Sequence, residues 1–319
     1  MAKRFLGALG LGLTLALTGC VDQALTSEIK PPRVDRWQVS KVAAPAPQPF
    51  EAAPKTGLPD GGIARVTRSS LKAAWYEGPT TRYAHAILGD AVEAGVLVAQ
   101  TAKGKTLRLT LPVNQVFEDR TPRLVDLDGD GTTEIVTLLA QQGSGAAVAV
   151  YGERDGALIL LSQTPFIGRA NRWRNVAGIA DFDGDGFLQI AEVVTPHIGG
   201  TLRFWTWKRG QLVPSGQAPG FSNHAIGSRL QGLSVVEDFD GDGVEDLAVP
   251  DARRTTVRIM GFTGKANGKK TLREIASIPL PSEISQNMRA VMVNGQPGVL
   301  VGLRGGQWLR LLPPKPVQQ

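Results

Sequence analysis

The sequence DLDGDGTTE at residues 126–134 returns twice in closely similar form, as DFDGDGFLQ at residues 181–189 and as DFDGDGVED at residues 238–246. The first aspartates of successive copies are 55 and 57 residues apart. Self-similarity at a nearly fixed interval is the sequence signature of a repeat architecture. The chain is therefore expected to contain at least three copies of one structural unit.

Each copy places oxygen-bearing residues at positions that suit a calcium ion. Calcium takes about six to eight oxygen ligands, and carboxylates at positions 1, 3 and 5 of a tight loop converge on one point. Glycine at position 6 permits the turn, position 7 offers its backbone carbonyl, and position 9 adds a side chain. Without a cation, carboxylates this close would repel one another. The expected ligands are Asp126, Asp128, Asp130, Thr132 and Glu134 in the first loop, Asp181, Asp183, Asp185, Phe187 and Gln189 in the second, and Asp238, Asp240, Asp242, Val244 and Asp246 in the third.

The second loop leaves two ligand choices open. Gln189 at position 9 is neutral, whereas Glu192 stands at position 12, where an EF-hand places its bidentate glutamate. The corresponding residues of the other loops are Thr137 and Val249, which cannot serve in that way. An EF-hand also needs a helix on each side, but all three loops are flanked by short, often β-branched runs that predict strands.

The segments that follow each loop repeat the same pattern. A strand, a polar turn, an outer strand, a second turn and a last strand follow one another in each copy. The 38 glycines and the low aromatic content of 6% are typical of a turn-rich all-β protein. A four-stranded unit that recurs at this interval is typical of a propeller blade.

These three segments resemble the FG-GAP or VCBS repeats, the blade type of integrin α-chain propellers. The resemblance spans roughly residues 120–280. It implies that the D-x-D-x-D-G-x-x-D loop joins the first two strands of a blade and binds calcium. Glu134 and Asp246 supply the acid of the ninth position, whereas Gln189 departs from the pattern.

The rest of the body contains two weaker echoes of the unit, near residues 85–100 and 289–303. Both lack most of the acids and are not expected to bind calcium through this motif. We therefore expect an all-β propeller over residues 61–315, with five four-stranded blades, or six as the alternative count. The last unit is one strand short, and Gly62–Tyr76 is the candidate segment to complete it, which would remove exposed sheet edges.

The N-terminus has the features of a bacterial export signal. Lys3 and Arg4 precede an apolar stretch that is too short to span a bilayer as a stable helix. The sequence Leu17-Thr-Gly-Cys20 resembles the lipobox of bacterial lipoproteins, and Cys20 is the only cysteine of the chain. The resemblance implies cleavage after residue 19 and lipidation of Cys20, and several acyl chains hold a protein on a membrane more firmly than one. In the enterobacterial lipoproteins that this segment resembles, aspartate after the cysteine favours retention in the inner membrane, so valine at position 21 implies the outer membrane, with a periplasmic or surface-exposed body.

Residues 20–60 are expected to form a lipid-anchored tether. Seven prolines lie among alanines and polar residues there, and proline at this density favours extended chain. The formal net charge of +6 comes from scattered basic residues, without a basic face or a nucleic-acid-binding motif. Nucleic acid is therefore not an expected partner, and oligomeric state is left open.

Two aromatic side chains form a candidate ligand surface. Trp205 and Trp207 share one face of a predicted strand with Arg203, where they would either pack between blades or present a platform for a sugar or peptide. His85, His197 and His224 show no zinc or catalytic spacing and are expected to be structural. No nucleophile-elbow, P-loop or dinucleotide-binding pattern occurs in the sequence context that it needs.

Three functions are weighed. The first is a calcium-binding, envelope-anchored module, without enzyme activity, that binds or scaffolds a protein or glycan. The second is an envelope hydrolase directed at polysaccharide, with its site in the propeller channel. The third is a purely structural assembly partner. Two convergent carboxylates outside the loops would favour the hydrolase, and a polar channel without such a pair would favour binding.

Overall fold

The computed structural model of the protein describes residues 36–67, 69–266 and 269–314. The expected signal segment at residues 1–19 and the lipidation residue Cys20 lie outside these ranges. All regular elements within them are β-strands. Among the described residues, no helix has the length and apolar character needed to cross a membrane.

Within the described ranges, twenty-one strands follow one another along the sequence. Their bounds are β1 (Gln38–Val42), β2 (Ala64–Arg65), β3 (Leu71–Thr80), β4 (Glu93–Thr101), β5 (Thr106–Thr110), β6 (Gln115–Phe117), β7 (Arg123–Val125), β8 (Glu134–Gln141), β9 (Gly145–Arg154), β10 (Ala157–Gln163), β11 (Arg174–Ala180), β12 (Gln189–Val194), β13 (Gly200–Lys208), β14 (Gln211–Phe221), β15 (Val235–Glu237), β16 (Asp246–Pro250), β17 (Thr256–Ala266), β18 (Lys269–Pro279), β19 (Arg289–Val293), β20 (Gln296–Gly302) and β21 (Trp308–Leu312).

The strands pair into five antiparallel groups of four, numbered here along the chain. Group 1 holds β2 to β5, group 2 holds β7 to β10, group 3 holds β11 to β14 and group 4 holds β15 to β18. Group 5 consists of β19, β20, β21 and β1. The short strand β6 pairs with both β4 and β8, and so joins groups 1 and 2 into one nine-stranded sheet. This meander of repeated four-stranded groups is propeller-like, as the repeat pattern predicted.

The aspartate-rich loops connect the first and second strands of groups 2, 3 and 4. They join β7 to β8, β11 to β12 and β15 to β16. Strands rather than helices therefore flank all three loops, so the strand prediction is confirmed and the EF-hand geometry does not occur here.

Group 5 is completed by a strand from the other end of the sequence. β1 pairs antiparallel with β21, from Gln38 opposite Leu312 to Val42 opposite Trp308. The expectation that Gly62–Tyr76 would complete this group is wrong, because that segment forms β2 and the first half of β3 in group 1. The segment expected to be a tether, residues 20–60, therefore contains a strand of the sheet. Gln38–Val42 has no proline, and by pairing with β21 it covers a sheet edge that would otherwise be exposed.

The core lies between neighbouring groups. Phe182 and Phe204 of group 3 meet edge to face with ring centroids 5.1 Å apart, and Phe204 meets Phe262 of group 4 at the same distance. Trp173 and Trp207 are buried with the aliphatic side chains between groups 2 and 3. Successive side chains of a strand point to opposite faces of the sheet, so each group buries apolar side chains against both of its neighbours. This burial of apolar surface holds neighbouring groups together.

Candidate metal centres and ligand pockets

Each of the three loops brings carboxylates together. In every case one oxygen from each of three acids lies within 4.8 Å of the others. These sets are Asp126, Asp128 and Glu134 in the first loop, Asp181, Asp183 and Asp185 in the second, and Asp238, Asp240 and Asp246 in the third. The acids at positions 1 and 3 converge in all three loops, whereas the third acid comes from position 9 in two loops and from position 5 in the second.

Position 1 shapes the loop through its backbone contacts. The carboxylate of Asp126 accepts hydrogen bonds from the N–H of Asp130 at 3.1 Å and of Gly131 at 2.8 Å. Asp181 and Asp238 accept the equivalent pairs of bonds in the other loops. The turn requires a left-handed backbone at position 6, where Gly131 has a φ of 84°.

Position 9 is tied back to position 2 in every loop. The N–H of Leu127 donates to Glu134 Oε2 at 2.9 Å, and the N–H of Phe239 donates to Asp246 Oδ2 at 3.0 Å. Gln189 accepts from the N–H of Phe182 at 2.6 Å with its amide oxygen. Its amide nitrogen donates to Asp183 Oδ1 at 2.8 Å, so in this geometry Gln189 braces the aspartates.

Position 7 contributes its backbone to the loop. The N–H groups of Thr132, Phe187 and Val244 donate to the carboxylates at position 5, at 2.6, 3.0 and 2.9 Å. Their carbonyl groups stay predicted ligands.

Glu192, the alternative ligand of the second loop, points elsewhere. Its carboxylate forms a buried ion pair with Arg174 at 2.8 Å and accepts a hydrogen bond from Trp205 Nε1 at 2.7 Å. The guanidinium therefore already balances this charge. The geometry favours Gln189 over Glu192 as the residue that belongs to the loop.

Proton affinities in the loops reflect crowded negative charge. Burial, followed by repulsion from the neighbouring aspartates, raises the pKa of Glu134 from 4.5 to about 7. Burial together with the same repulsion raises the pKa of Asp246 from 3.8 to about 8. Asp183 and Asp240 also have raised pKa values, with burial as the main cause. Oxygen-only donor sets that resist ionisation fit a hard divalent cation, which would neutralise them.

The two tryptophans of the candidate ligand surface lie inside the protein. Trp207 is 2% exposed, packs between groups 2 and 3, and donates from Nε1 to Asp128 Oδ2 at 3.3 Å. Trp205 is 7% exposed and lines a pocket. An exposed platform made of both rings is therefore not present, and packing accounts for Trp207.

Two of the three histidines, His197 and His224, lie against Trp173. His197 Nε2 and His224 Nδ1 are 2.8 Å apart, and both rings lie against the Trp173 indole. Burial is the first cause that lowers the pKa of His197 to about 3 and of His224 to about 4, so both are neutral. His85 contacts the buried carboxylate of Glu118 at 2.5 Å.

A second pair of acids lies outside the loops, around His85. Glu93 accepts hydrogen bonds from the backbone N–H of Ala84 and His85. Burial raises the pKa of Glu118 to about 7. The cavity between Glu93 and Glu118 measures about 10 Å³, which is the size of a water molecule and excludes a sugar.

A cleft of about 640 Å³ lies along the first strands of groups 2, 3 and 4. Polar side chains in its wall include Arg120, Arg123, Arg229, Gln231 and Asn287, and no aspartate or glutamate of the described chain lines it.

The arginines of this cleft are balanced by acids behind the wall. Arg123 pairs with Asp119 at 2.5 Å, Arg120 pairs with Asp60 at 2.9 Å, and Arg229 pairs with Asp60 at 3.0 Å and with Asp90 at 2.8 Å. The cleft is therefore polar and close to neutral, without a pair of carboxylates that acts as acid and base.

A family model matches part of the chain. Residues 126–192 match the family model of the FG-GAP-like repeat, which covers the first two aspartate loops. No curated protein matches the chain. Among solved structures, the chain is similar to the crystal structure of the exotype rhamnogalacturonan lyase YesX, with 15% sequence identity and a TM-score of 0.42. That similarity covers 82% of this chain and 57% of the lyase chain. The protein is thus an all-β, propeller-like protein that carries an FG-GAP-like repeat segment.

Proposed function

We propose that the protein is a calcium-stabilised, five-bladed β-propeller that serves as a binding or scaffold module at the bacterial envelope. In this proposal its three aspartate loops each hold one calcium ion, and its ligand is a protein or a glycan. The 640 Å³ cleft offers one surface for that ligand.

The observation that carries the calcium assignment is the convergence of carboxylates in three equivalent loops. Each loop orders its first aspartate with two backbone N–H bonds, which fixes the oxygens before any ion arrives. The raised pKa values of Glu134 and Asp246 support a site whose negative charge is balanced by a cation. Carboxylate and carbonyl oxygens are the ligands that calcium prefers.

The five four-stranded groups support the blade count. Pairing of β1 with β21 supports a ring that is closed by strands from both ends, which leaves fewer exposed sheet edges. In this arrangement calcium fixes the connection between the first two strands of three blades.

The polar character of the 640 Å³ cleft supports binding over hydrolysis. A polysaccharide hydrolase needs two carboxyl groups placed about 5–9.5 Å apart across a sugar-sized cleft. The described lining of the 640 Å³ cleft contains none, and the acids near His85 face a cavity of about 10 Å³. A purely structural assembly role is the alternative that experiment has to separate from ligand binding.

Membrane attachment is proposed through a lipid on Cys20, with the outer membrane as the location. The lipobox-like sequence Leu17-Thr-Gly-Cys20 supports this step. Residues between Cys20 and β1 would then span the distance to the folded body.

Affinity capture from native bacterial envelope tests the function. The full chain is used as bait with calcium present and again with chelator, with Asp128→Ala as the matched variant. We expect protein or glycan ligands that are retained with calcium and lost with chelator. Capture that does not change with calcium or the variant would contradict a calcium-stabilised binding module.

A further inference from the structure

A second pocket, of about 310 Å³, opens on group 3. This volume lies at the lower end of the range that small-molecule sites occupy, about 300–1,000 Å³. It is lined by Arg203, Phe204, Trp205, Pro214, Gly216 and Gln217, from the two outer strands β13 and β14.

Groups 2 and 4 provide an internal comparison for this pocket, because all three groups carry a register shift at the same place between their third and fourth strands. The shift lies directly beside the pair Trp205–Pro214 in group 3 and beside the pair Met260–Glu274 in group 4. In group 2 it lies beside the pair of Tyr151 and Leu160. Equivalent positions can therefore be compared by register.

In group 4 the equivalent arginine is neutralised within the chain. Arg258, which corresponds to Arg203, donates from Nε to Glu274 Oε2 at 2.6 Å. Group 3 has Pro214 where group 4 has Glu274. In group 2, Ala149 stands at the position of the arginine and Leu160 stands at the position of Glu274. Group 2 therefore has no cation at this place that needs an acidic partner. Only group 3 of these three combines the cation with an apolar residue at the position of the acid.

The acid opposite Arg203 on the neighbouring strand does not pair with it. Glu192 is its cross-strand neighbour on β12, but Glu192 is bound by the buried guanidinium of Arg174 and by Trp205 Nε1. The ion pair of Glu192 is thus with Arg174 and not with Arg203. The Nε of Arg203 is buried and has no acceptor within the described part of the chain, although buried polar atoms usually have one.

We infer that this pocket binds a carboxylated sugar unit, with the ligand carboxylate on Arg203 in the place that Glu274 takes beside Arg258. The inference rests on the proposed binding function and specifies its ligand class and site. An arginine fork binds a carboxylate through charge-assisted hydrogen bonds.

The rest of the lining favours a sugar as the carrier of that carboxylate. Trp205 lines the pocket, and its bond to Glu192 fixes the indole there as an aromatic contact for a sugar ring. The amide of Gln217, which lies opposite Arg203 in the β13–β14 register, supplies a donor and an acceptor for hydroxyl groups.

The test is calorimetric titration of the full, calcium-loaded chain with a glucuronate tetrasaccharide, a neutral glucose tetrasaccharide and tetraglutamate. We expect the glucuronate to bind, and the neutral sugar to bind at least tenfold more weakly. Arg203→Met should weaken glucuronate binding at least tenfold. Pro214→Glu should do the same, because it installs the acid that group 4 already has. Arg258→Met makes the identical change at the equivalent position of group 4 and should leave the affinity within about twofold.

Several results would overturn the inference. Glucuronate binding that Arg203→Met and Pro214→Glu leave unchanged would exclude this pocket, and binding of tetraglutamate alone would exclude a sugar. If the chain binds neither glucuronate nor tetraglutamate, the pocket is not a site for a carboxylated sugar or for an acidic peptide. The calcium-induced rise in melting temperature is recorded for every variant, so a protein that keeps this response but fails to bind glucuronate refutes the pocket without refuting the calcium-stabilised module.

Discussion

Arg174 and Glu192 form a buried ion pair with 2.8 Å between guanidinium nitrogen and carboxylate oxygen. Glu192 stands at the twelfth position of the second aspartate loop, where its spacing alone suits a calcium ligand. Because Arg174 and Trp205 occupy its oxygens, the side chain connects β11, β12 and β13 within group 3. The pair thus separates structural stabilisation from metal binding within one repeat.

We predict that Glu192→Ala lowers stability without altering the response to calcium. Breaking a buried ion pair from one side leaves an uncompensated charge and costs about 3–5 kcal/mol. Denaturant unfolding with and without calcium measures both quantities. Asp183→Asn, within the same loop, is the control that should lose part of the calcium response. A loss of calcium response in Glu192→Ala as large as in Asp183→Asn would show that Glu192 is a ligand.

Calcium removal should lower the melting temperature, and calcium should restore it. A ligand that binds only the folded state at 100 times its dissociation constant adds about 2.7 kcal/mol per site. Asp128→Ala and Asp240→Ala should each remove about one such contribution. Asp128 suits the test better than Asp126, because Asp126 also accepts two backbone bonds that shape the loop.

Glu274→Gln, an acid substitution outside the loops, is the matched control for these variants and should keep the full calcium response. Differential scanning calorimetry over a calcium series gives the measurement. Equal calcium responses in Asp128→Ala, Asp240→Ala and the wild type would count against the metal assignment.

The calcium-free protein should lose stability as pH rises from about 6.5, above which the two buried histidines no longer oppose the loss, to about 8. Folding raises the pKa of Glu134 from 4.5 to about 7 and that of Asp246 from 3.8 to about 8, so the folded state binds more protons than the unfolded state in this window. The destabilisation from these two carboxyl groups begins above the unfolded pKa values and is complete above the folded ones.

Calcium should weaken or reverse this dependence, because the bound ion favours the ionised carboxylates, and calcium affinity should rise through the same window. Urea unfolding at several pH values in chelator checks the slope, and Glu134→Gln combined with Asp246→Asn should make the slope between pH 6.5 and 8 shallower than in the wild type. Glu118, whose raised pKa is also about 7, keeps part of the slope in this variant. Equal slopes in the wild type and the double variant would contradict crowded negative charge in the loops as the cause.

The local part of this architecture could be predicted from the sequence. The spacing of Asp126, Asp128 and Asp130, with glycine at position 131, specifies a turn because each contact spans only a few residues. The strands on either side follow from short β-branched runs. The loop geometry and the four-stranded unit therefore emerge from patterns that lie within one repeat.

The contacts between residues far apart in the sequence could not be predicted from such local patterns. Trp207 Nε1 reaches Asp128 across 79 positions of sequence, and nothing in either segment indicates the other. The spacing of the second loop alone suits Glu192 as a calcium ligand, whereas the fold places its carboxylate in an ion pair with Arg174. Only the three-dimensional structure decides between these two roles. The unbalanced Arg203 becomes visible only when the register places Pro214 where a neighbouring group has Glu274.

Substitution of Cys20 by serine should release the protein from the membrane. Acyl chains on this thiol supply the binding free energy of the proposed anchor, and serine cannot carry a thioether-linked lipid. Fractionation of cells that express the wild type or Cys20→Ser, with detergent extraction as the control for sedimenting aggregates, checks it. A variant that stays in the membrane fraction and is solubilised by detergent would contradict the anchor.

Deletion of β1 should destabilise the folded body far more than deletion of the residues that precede it. β1 pairs with β21 over five residue pairs from Gln38–Leu312 to Val42–Trp308, and without it the row of β21 backbone groups becomes a free sheet edge. Free edges recruit strands from other chains, so the variant that begins at residue 43 should melt at a lower temperature and aggregate. A variant that begins at Arg36 retains β1 and is the matched control, with an unchanged melting temperature expected. Size-exclusion chromatography and thermal unfolding give the two measurements, and equal behaviour of both truncations would mean that the pairing of β1 with β21 does not hold group 5 together.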